Sequence, residues 1–337
     1  MMIRALPLLL LAWTGVCAAQ PNQLQVRGAD LVWNGEKISL RGVAVGDVIL
    51  ARKNRPLSDY KTIAQEWNAN VVRLGVHPTV WKNQKRAEVL AELERQSKAA
   101  LDAGLFVIIE WHAIGFPDGY FQQPDAAWGA PKDLYDSNFA LAKDFWRQVA
   151  RKFGKEPRIL FELWNEPVFQ KDDYEESIGQ QWKKLKPYWR SLIAVIRAHS
   201  QNVVIATSNC WAYRLTGIKD DLLDDANVAY TWHVYAGHDN DDSAKWATAL
   251  DDLQKVRPVL VTEWGFERDA KAHFKGTPES FGKKFVRDFL DAKNLHSVAW
   301  CWHADWGPPL LQKDWKTPTE FGAFVQKYLK SRDARRP

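Results

Sequence analysis

Eight short β-rich runs, each followed by a helical pattern, predict an α/β protein of the (β/α)8 TIM-barrel class, built as a single domain. The runs are "ISLRGVAVG", "ANVVRLGVH", "GLFVIIEWH", "RILFELWNEP", "QNVVIATSN", "NVAYTWHVY", "PVLVTEWG" and "HSVAWCWH". They are near-continuously apolar rather than alternating, as parallel strands buried on both faces require. The 337 residues suffice for one large barrel, and no Ser/Pro-rich linker, short-period repeat or appended module interrupts them. A doubly wound open sheet is the alternative on pattern alone.

The chain opens with "MMIRALPLLLLAWTGVCAAQ", where Arg4 precedes an apolar run from Ala5 to Val16 and then small residues. This is the pattern of a cleaved secretory signal over residues 1–19, too short to span a bilayer. Cys17 could instead carry a lipid, but the bulky Val16 before it argues against that. The expected mature chain, residues 20–337, is a soluble, secreted or periplasmic monomer, with no membrane association after cleavage. "QLQVRGADLVWNGEKI" then reads as a small hairpin closing the barrel floor, with Asn34-Gly35 as its turn.

The helical patterns fill the gaps between strands. "SDYKTIAQEWNA" begins with Ser58 as an N-cap and sets Tyr60, Ile63, Ala64 and Trp67 on one face. "KRAEVLAELERQSKAALDAG" aligns Val89, Leu93, Ala100 and Leu101 and stops at Gly104. "DSNFALAKDFWRQVARKFG" stops likewise at Gly154. "GQQWKKLKPYWRSLIAVIRAHS" is long, and Pro187 is expected to kink or restart it. Further helices begin near Asp242, Pro278 and Pro318.

Composition excludes several function classes. The net charge is +5, and basic residues are scattered apart from the tail "KYLKSRDARRP", which reads as a solvated end rather than a nucleic-acid arm. Signal cleavage leaves Cys210 and Cys301 near the ends of strands that are not neighbours, so two buried thiols are expected rather than a bridge. No Cys/His spacing resembles a zinc site. The acidic run Asp239 to Asp242 reads as a solvated helix start rather than a calcium loop. No metal and no cofactor are expected.

A barrel of this class carries its active site at the C-terminal ends of the strands. Those ends are polar and aromatic here. Strand two carries Arg73 and then His77, and strand three ends on Glu110, Trp111 and His112. Strand four ends on Trp164, Asn165 and Glu166, strand five on Ser208, Asn209 and Trp211. Strand six gives Trp232, His233 and Tyr235, strand seven Glu263 and Trp264, strand eight Trp302, His303, Asp305 and Trp306. One histidine or tryptophan at a strand end is usually structural. Convergence from so many strands would leave many polar groups to satisfy for no purpose. Two carboxylates on different strand ends suit glycosidic bond cleavage, where one protonates the leaving oxygen and the other attacks or activates water. Glu166 and Glu263 are that pair. Tryptophans on six of the eight strand ends suit the flat C–H faces of a sugar.

These motifs resemble glycoside hydrolase family five, cellulase-like retaining β-glycanases of clan A. "LWNEP" resembles the family's strand-four signature, "VTEWG" its strand-seven signature, and "VRLGV" its strand-two arginine. "EWH" matches its strand-three histidine, although the family often has Asp where Glu110 stands. "HVYAGH" fits its His-x-Tyr, and "AWCWHADWGPPLL" its strand-eight tryptophan. The resemblance covers nearly the whole mature chain in order. It implies Glu166 as acid/base and Glu263 as nucleophile of a double displacement. Arg73 would keep Glu263 ionised, Tyr235 would orient it, and Asn165 would hold the sugar 2-hydroxyl. His112 and His233 would bind hydroxyls or tune the glutamates, and Trp302 would stack under the sugar on the non-reducing side.

The implied activity is that of a secreted endo-β-1,4-glucanase on a β-glycan polysaccharide or oligosaccharide, with a β-mannanase or another β-glycanase of the same family as the alternative. Glu162, Glu110, Glu267 and Asp305 are competing acids. Glu162 is expected to be structural and deeper in the barrel. Phe116, Tyr120, Phe121 and Trp128 form extra sugar platforms or pack their loop onto the barrel. A metal-dependent amidohydrolase would want His-x-His on strand one, which has no histidine. A phosphate enzyme would want a Gly-rich loop after a strand. A non-catalytic carbohydrate-binding barrel would be expected to have lost one glutamate, and both are present.

Overall fold

The structure is a computed structural model and describes residues 22–51, 55–124, 129–169, 178–237, 242–271 and 273–332. The expected signal, residues 1–19, lies outside these residues, as do Trp128 and Asp239. Eight parallel strands close into a barrel, so the open-sheet alternative is ruled out. Barrel strands one to eight are Arg41–Asp47, Val71–Val76, Phe106–Trp111, Ile159–Glu162, Val204–Ala206, Val228–Tyr235, Val259–Gly265 and His296–Ala299. Each pairs with the next in sequence, and strand eight pairs back onto strand one.

The near-continuous apolar strands follow from two separate cores. Alternate residues point out to a large layer under the helices, such as Val72, Leu74, Val107, Ile109, Tyr230, Trp232 and Val261. The others point into the barrel, where Ile108, Leu160, Ile205, Ala229, Leu260 and Val298 form a smaller inner core. The floor below it is more than the expected hairpin. Strands Gln25–Arg27, Asp30–Trp33 and Glu36–Ile38 form a three-stranded antiparallel meander. Asn34 and Gly35 both have positive φ, as a tight hairpin turn requires. Leu24, Leu31, Ile38 and Leu40 then plug the inner core from below.

The helices match their patterns, with two differences. Ser58 precedes the first helix, but its side chain makes no capping bond, and that element continues as a π-helical stretch over Thr62–Glu66. Helix Ile178–Arg197 runs through Pro187 as one element. Its buried Trp182, Leu185, Trp189 and Leu192 anchor it on the barrel and offset the hydrogen bond that proline removes. The Trp182 and Trp189 indoles also donate to the carbonyls of Asp221 and Thr207, at 2.8 and 2.7 Å. Among the described residues no helix is long and apolar enough to cross a membrane.

Candidate active site

The polar inner residues above the apolar inner core form one connected cluster. Strands two and six reach it by simple alternation. Val72, Leu74 and Val76 face outward while Arg73 faces in, and Tyr230, Trp232 and Val234 face outward while Thr231, His233 and Tyr235 face in. Strand seven reaches it by breaking the alternation. Its pairing with strand six runs Val261–Trp232 and then Glu263–His233, so Thr262 is an extra residue in a bulge. Two consecutive side chains, Thr262 and Glu263, therefore both reach the interior. Strand four departs similarly. Leu163 and Trp164 both lie in the outer layer, and the chain then re-pairs with strand three through Asn165 N–H to Trp111 and Glu166 N–H to Ala113. That shift turns Asn165 and Glu166 inward together.

Arg73 is the hub and is fully buried. Its guanidinium donates to Glu162 at 2.7 and 3.1 Å, to Glu263 Oε1 at 2.7 Å and to Asn165 Oδ1 at 2.8 Å. Glu110 lies 3.4 Å away. The Tyr235 hydroxyl donates to the other oxygen of Glu263 at 2.6 Å. His233 sits between the acids, with Nδ1 2.9 Å from Glu166 and Nε2 3.0 Å from the Thr262 hydroxyl. Thr262 donates onward to Glu162 at 2.8 Å.

This arrangement drives the two glutamates apart. Burial raises the Glu166 pKa and the charge of Glu263 adds to it, outweighing the hydrogen bond from His233. Burial also pushes Glu263 upward, but the charges of His233 and Arg73, with the Tyr235 hydroxyl, hold it below the usual carboxylate range. Glu162 is held down to about 2 by Arg73 and His233 against burial. His233 is raised to about 9, because the surrounding glutamates overcome its desolvation. Donor atoms of Glu166, His233 and Glu263 all lie within 4.8 Å of one another, the spacing of a metal site. A protonated imidazole has no lone pair to give a metal, and Arg73 already occupies one Glu263 oxygen, so this donor set fits proton chemistry better.

Seven of the eight site residues singled out from sequence lie in or beside this cluster: Arg73, His112, Asn165, Glu166, His233, Tyr235 and Glu263. Trp302 does not. Val298, Trp300 and Cys301 belong to the inner core, whereas Trp302 lies in the outer layer. Its indole donates to Asp59 at 2.9 Å and meets Trp67 edge-on at 4.8 Å. Counting alternate residues from Val298 places Trp300 and Trp302 on one side. The second inward residue, Cys301, shifts Trp302 to the other. The strand-eight tryptophan at the site is Trp300, stacked parallel to His112 at 5.3 Å.

Other expectations resolve with it. Glu162 is a buried anchor for Arg73, as expected. Glu110 holds His112 Nδ1 at 3.0 Å. Phe116 is buried and stacks on Phe169 at 4.0 Å, so it packs its loop onto the barrel. Cys210 and Cys301 are both free thiols, although Cys210 is only half-buried. Asp242 caps the helix Ser243–Leu250 through the N–H groups of Ala244 and Lys245, at 3.0 and 3.3 Å. Sequence reasoning missed Thr262 and Tyr135. The Tyr135 ring stands 5.6 Å from His77 and 6.1 Å from His112, which places it at the site, and burial with the charges of Glu166 and Glu263 raises its hydroxyl pKa. Its long loop offers no periodicity that would mark it.

The family model described as Cellulase (glycosyl hydrolase family 5) matches residues 32–305. The chain belongs to this family. Cellulase CelDZ1 from Thermoanaerobacterium is 25% identical over 273 residues, covering 79% of this chain and 66% of that relative. Endoglucanase Z from Dickeya dadantii is 25% identical over 276 residues, covering 80% and 57%. The family-5 chain described here thus spans about half to two thirds of the length of these curated relatives. Among solved structures, the β-glucanase SdGluc5_26A from Saccharophagus degradans in complex with cellotetraose superposes with a TM-score of 0.82 at 24% identity, covering 93% of this chain and 94% of that one. The catalytic domain of Thermobifida fusca endoglucanase Cel5A gives 0.71 at 21% identity, covering 91% and 97%. These likenesses show a shared (β/α)8 fold.

Proposed function

We propose that this family-5 protein is a retaining endo-β-1,4-glucanase, with Glu166 as acid/base and Glu263 as nucleophile. The observation that carries the reading is the close carboxylate pair with opposite proton bias. Oxygens of Glu166 and Glu263 lie within 4.8 Å, near the roughly 5–5.5 Å spacing of retaining enzymes and short of the roughly 6.5–9.5 Å that leaves room for an inverting water. Protonated Glu166 gives its proton to the leaving oxygen while ionised Glu263 attacks the anomeric carbon. The C–O bond to the leaving sugar breaks as the ester to Glu263 forms. Loss of the Glu263 charge then removes one force that raised the Glu166 pKa; Glu166 takes a proton from the incoming water, whose oxygen bonds to the anomeric carbon as the ester C–O bond breaks and Glu263 leaves as a carboxylate. Asn165, fixed by Arg73, is placed to hold the sugar 2-hydroxyl. Trp300 supplies the stacking face.

Glucan is preferred over mannan because the matched relatives carry cellulase and endoglucanase names and a similar structure holds cellotetraose. In this reading residues 1–19 are an export signal and residues 20–337 one catalytic domain acting outside the cytoplasm as a monomer.

Reducing-end release from carboxymethylcellulose, mixed-linkage β-glucan, mannan and xyloglucan tests the proposal. A glucan should be cleaved by the mature chain. Glu166→Gln and Glu263→Gln should each lose at least about 1,000-fold in kcat. Undiminished release by either variant would sink the role given to that residue. Preferential release from mannan would move the substrate to the alternative.

A further inference from the structure

Barrel strand one ends on Gly46 and Asp47, which shape a wall beside the catalytic pair. Pairing with strand two jumps from Ala44–Arg73 to Asp47–Gly75, a bulge. Gly46 has φ +69°, and a Cβ there would stand 2.5 Å from the Trp306 ring. Glycine thus lets that indole rest against the backbone. Asp47 is fully buried and accepts N–H bonds from Ile49, Leu50 and His77 at 2.7, 2.8 and 2.7 Å. It also meets His77 Nδ1 at 2.9 Å. A carboxyl accepting three main-chain N–H groups is ionised and can only accept. His77 Nδ1 therefore carries the proton, and the ring orientation is fixed.

The other nitrogen, Nε2, has no hydrogen-bond partner among the described residues, and it is not among the polar atoms sealed away unpaired in the interior. It therefore keeps a contact with solvent. The ring stands 4.3 Å from His112, 5.6 Å from Tyr135 and 5.8 Å from Trp306. His112 in turn stacks on Trp300. His77 thus continues the wall that begins at the stacking face.

We propose that His77, oriented by Asp47, is a further substrate-binding residue whose Nε2 accepts a hydrogen bond from a hydroxyl of the sugar stacked on Trp300. The inference rests on the β-glycanase reading. Asp47 is then a positioning residue that acts through the ring. A purely structural pair would only hold the helix start at Pro78, where His77 is the N-cap. Its loss would lower stability without distinguishing one substrate hydroxyl from another.

The test pairs enzyme variants with an aryl β-cellobioside and its analogues deoxygenated at one hydroxyl at a time. One analogue should cost the wild type about tenfold in kcat/KM. His77→Phe should lose about tenfold on the parent compound, mainly in KM, yet lose nothing further on that analogue. Asp47→Asn should show the same signature with a smaller loss. His77→Gln, which keeps an acceptor, should recover part of it and serves if the Phe variant fails to fold. Wild-type kinetics in His77→Phe, or equal penalties across every analogue, would overturn the inference alone. A wild type that cleaves no β-glycoside would overturn the β-glycanase reading and this inference with it.

Discussion

At the scale of single residues, function here is a matter of where protons sit. Arg73 meets three carboxyl groups, and His233, raised to about 9, stands among them, so the pKa of Glu263 is held down while burial and the Glu263 charge push that of Glu166 up. The Tyr235 hydroxyl is one contributor that can be removed without changing shape. Its 2.6 Å bond favours the ionised form of Glu263 and lowers its pKa. Tyr235→Phe should therefore raise that pKa, and ionised nucleophile should be lost at a higher pH on the acid side. The expected result is a kcat lower by about 10- to 100-fold, with the acid limb of the kcat/KM profile moved upward and the basic limb, set by Glu166, little changed. A pH–rate profile of both proteins checks this. An acid limb that stays in place would assign Tyr235 to sugar contact instead. The buried glutamate pair was legible in sequence because each glutamate sits in a motif at a strand end. Thr262 was not, since a threonine beside a glutamate reads as ordinary strand until the bulge is seen.

At the scale of elements, what decides the site is where strands depart from alternation. Strands two and six keep the period, so Arg73, His233 and Tyr235 all face the interior. Strand eight breaks it, so Trp302, the residue the resemblance pointed to, turns to the outer layer and Trp300 faces the site. The two tryptophans should separate cleanly by experiment. Trp300→Ala should cost at least tenfold in kcat/KM with a small change in Tm. Trp302→Ala should cost about 3–5 kcal/mol of stability, read by denaturant melts, with near-normal kinetics in the molecules that remain folded. Strand eight also begins on a histidine with a structural duty. His296 is buried and its Nδ1 accepts from the Leu40 N–H at 3.1 Å, joining the strand to the floor. Burial, with the charges of Arg41 and Lys37, lowers its pKa to about 3 from 6.5. Between those values the unfolded chain binds a proton that the folded one refuses. The stability is therefore present above pH 6.5 and lost as pH falls toward 3, by about 2 kcal/mol at pH 5. His296→Gln keeps an acceptor without the titration, so its Tm should fall less between pH 7 and pH 5 than that of the wild type.

At the scale of the whole molecule, the fold was legible because eight apolar runs with helices between them leave few other architectures. The floor was less so. Strands of three or four residues carry too little period to count, so a three-stranded meander read as one hairpin. Long loops carry none, which hid Tyr135. The same floor has a practical meaning. The described chain begins at Asn22, bonded to Asn34 of the meander turn. It ends at Arg332, whose carbonyl accepts from Asn68, just before strand two. Both ends leave from the face opposite the catalytic mouth. A bead, a surface or a second protein joined at Asn22 or Arg332 would therefore stand behind the barrel, leaving the face that holds Glu166 and Glu263 turned outward.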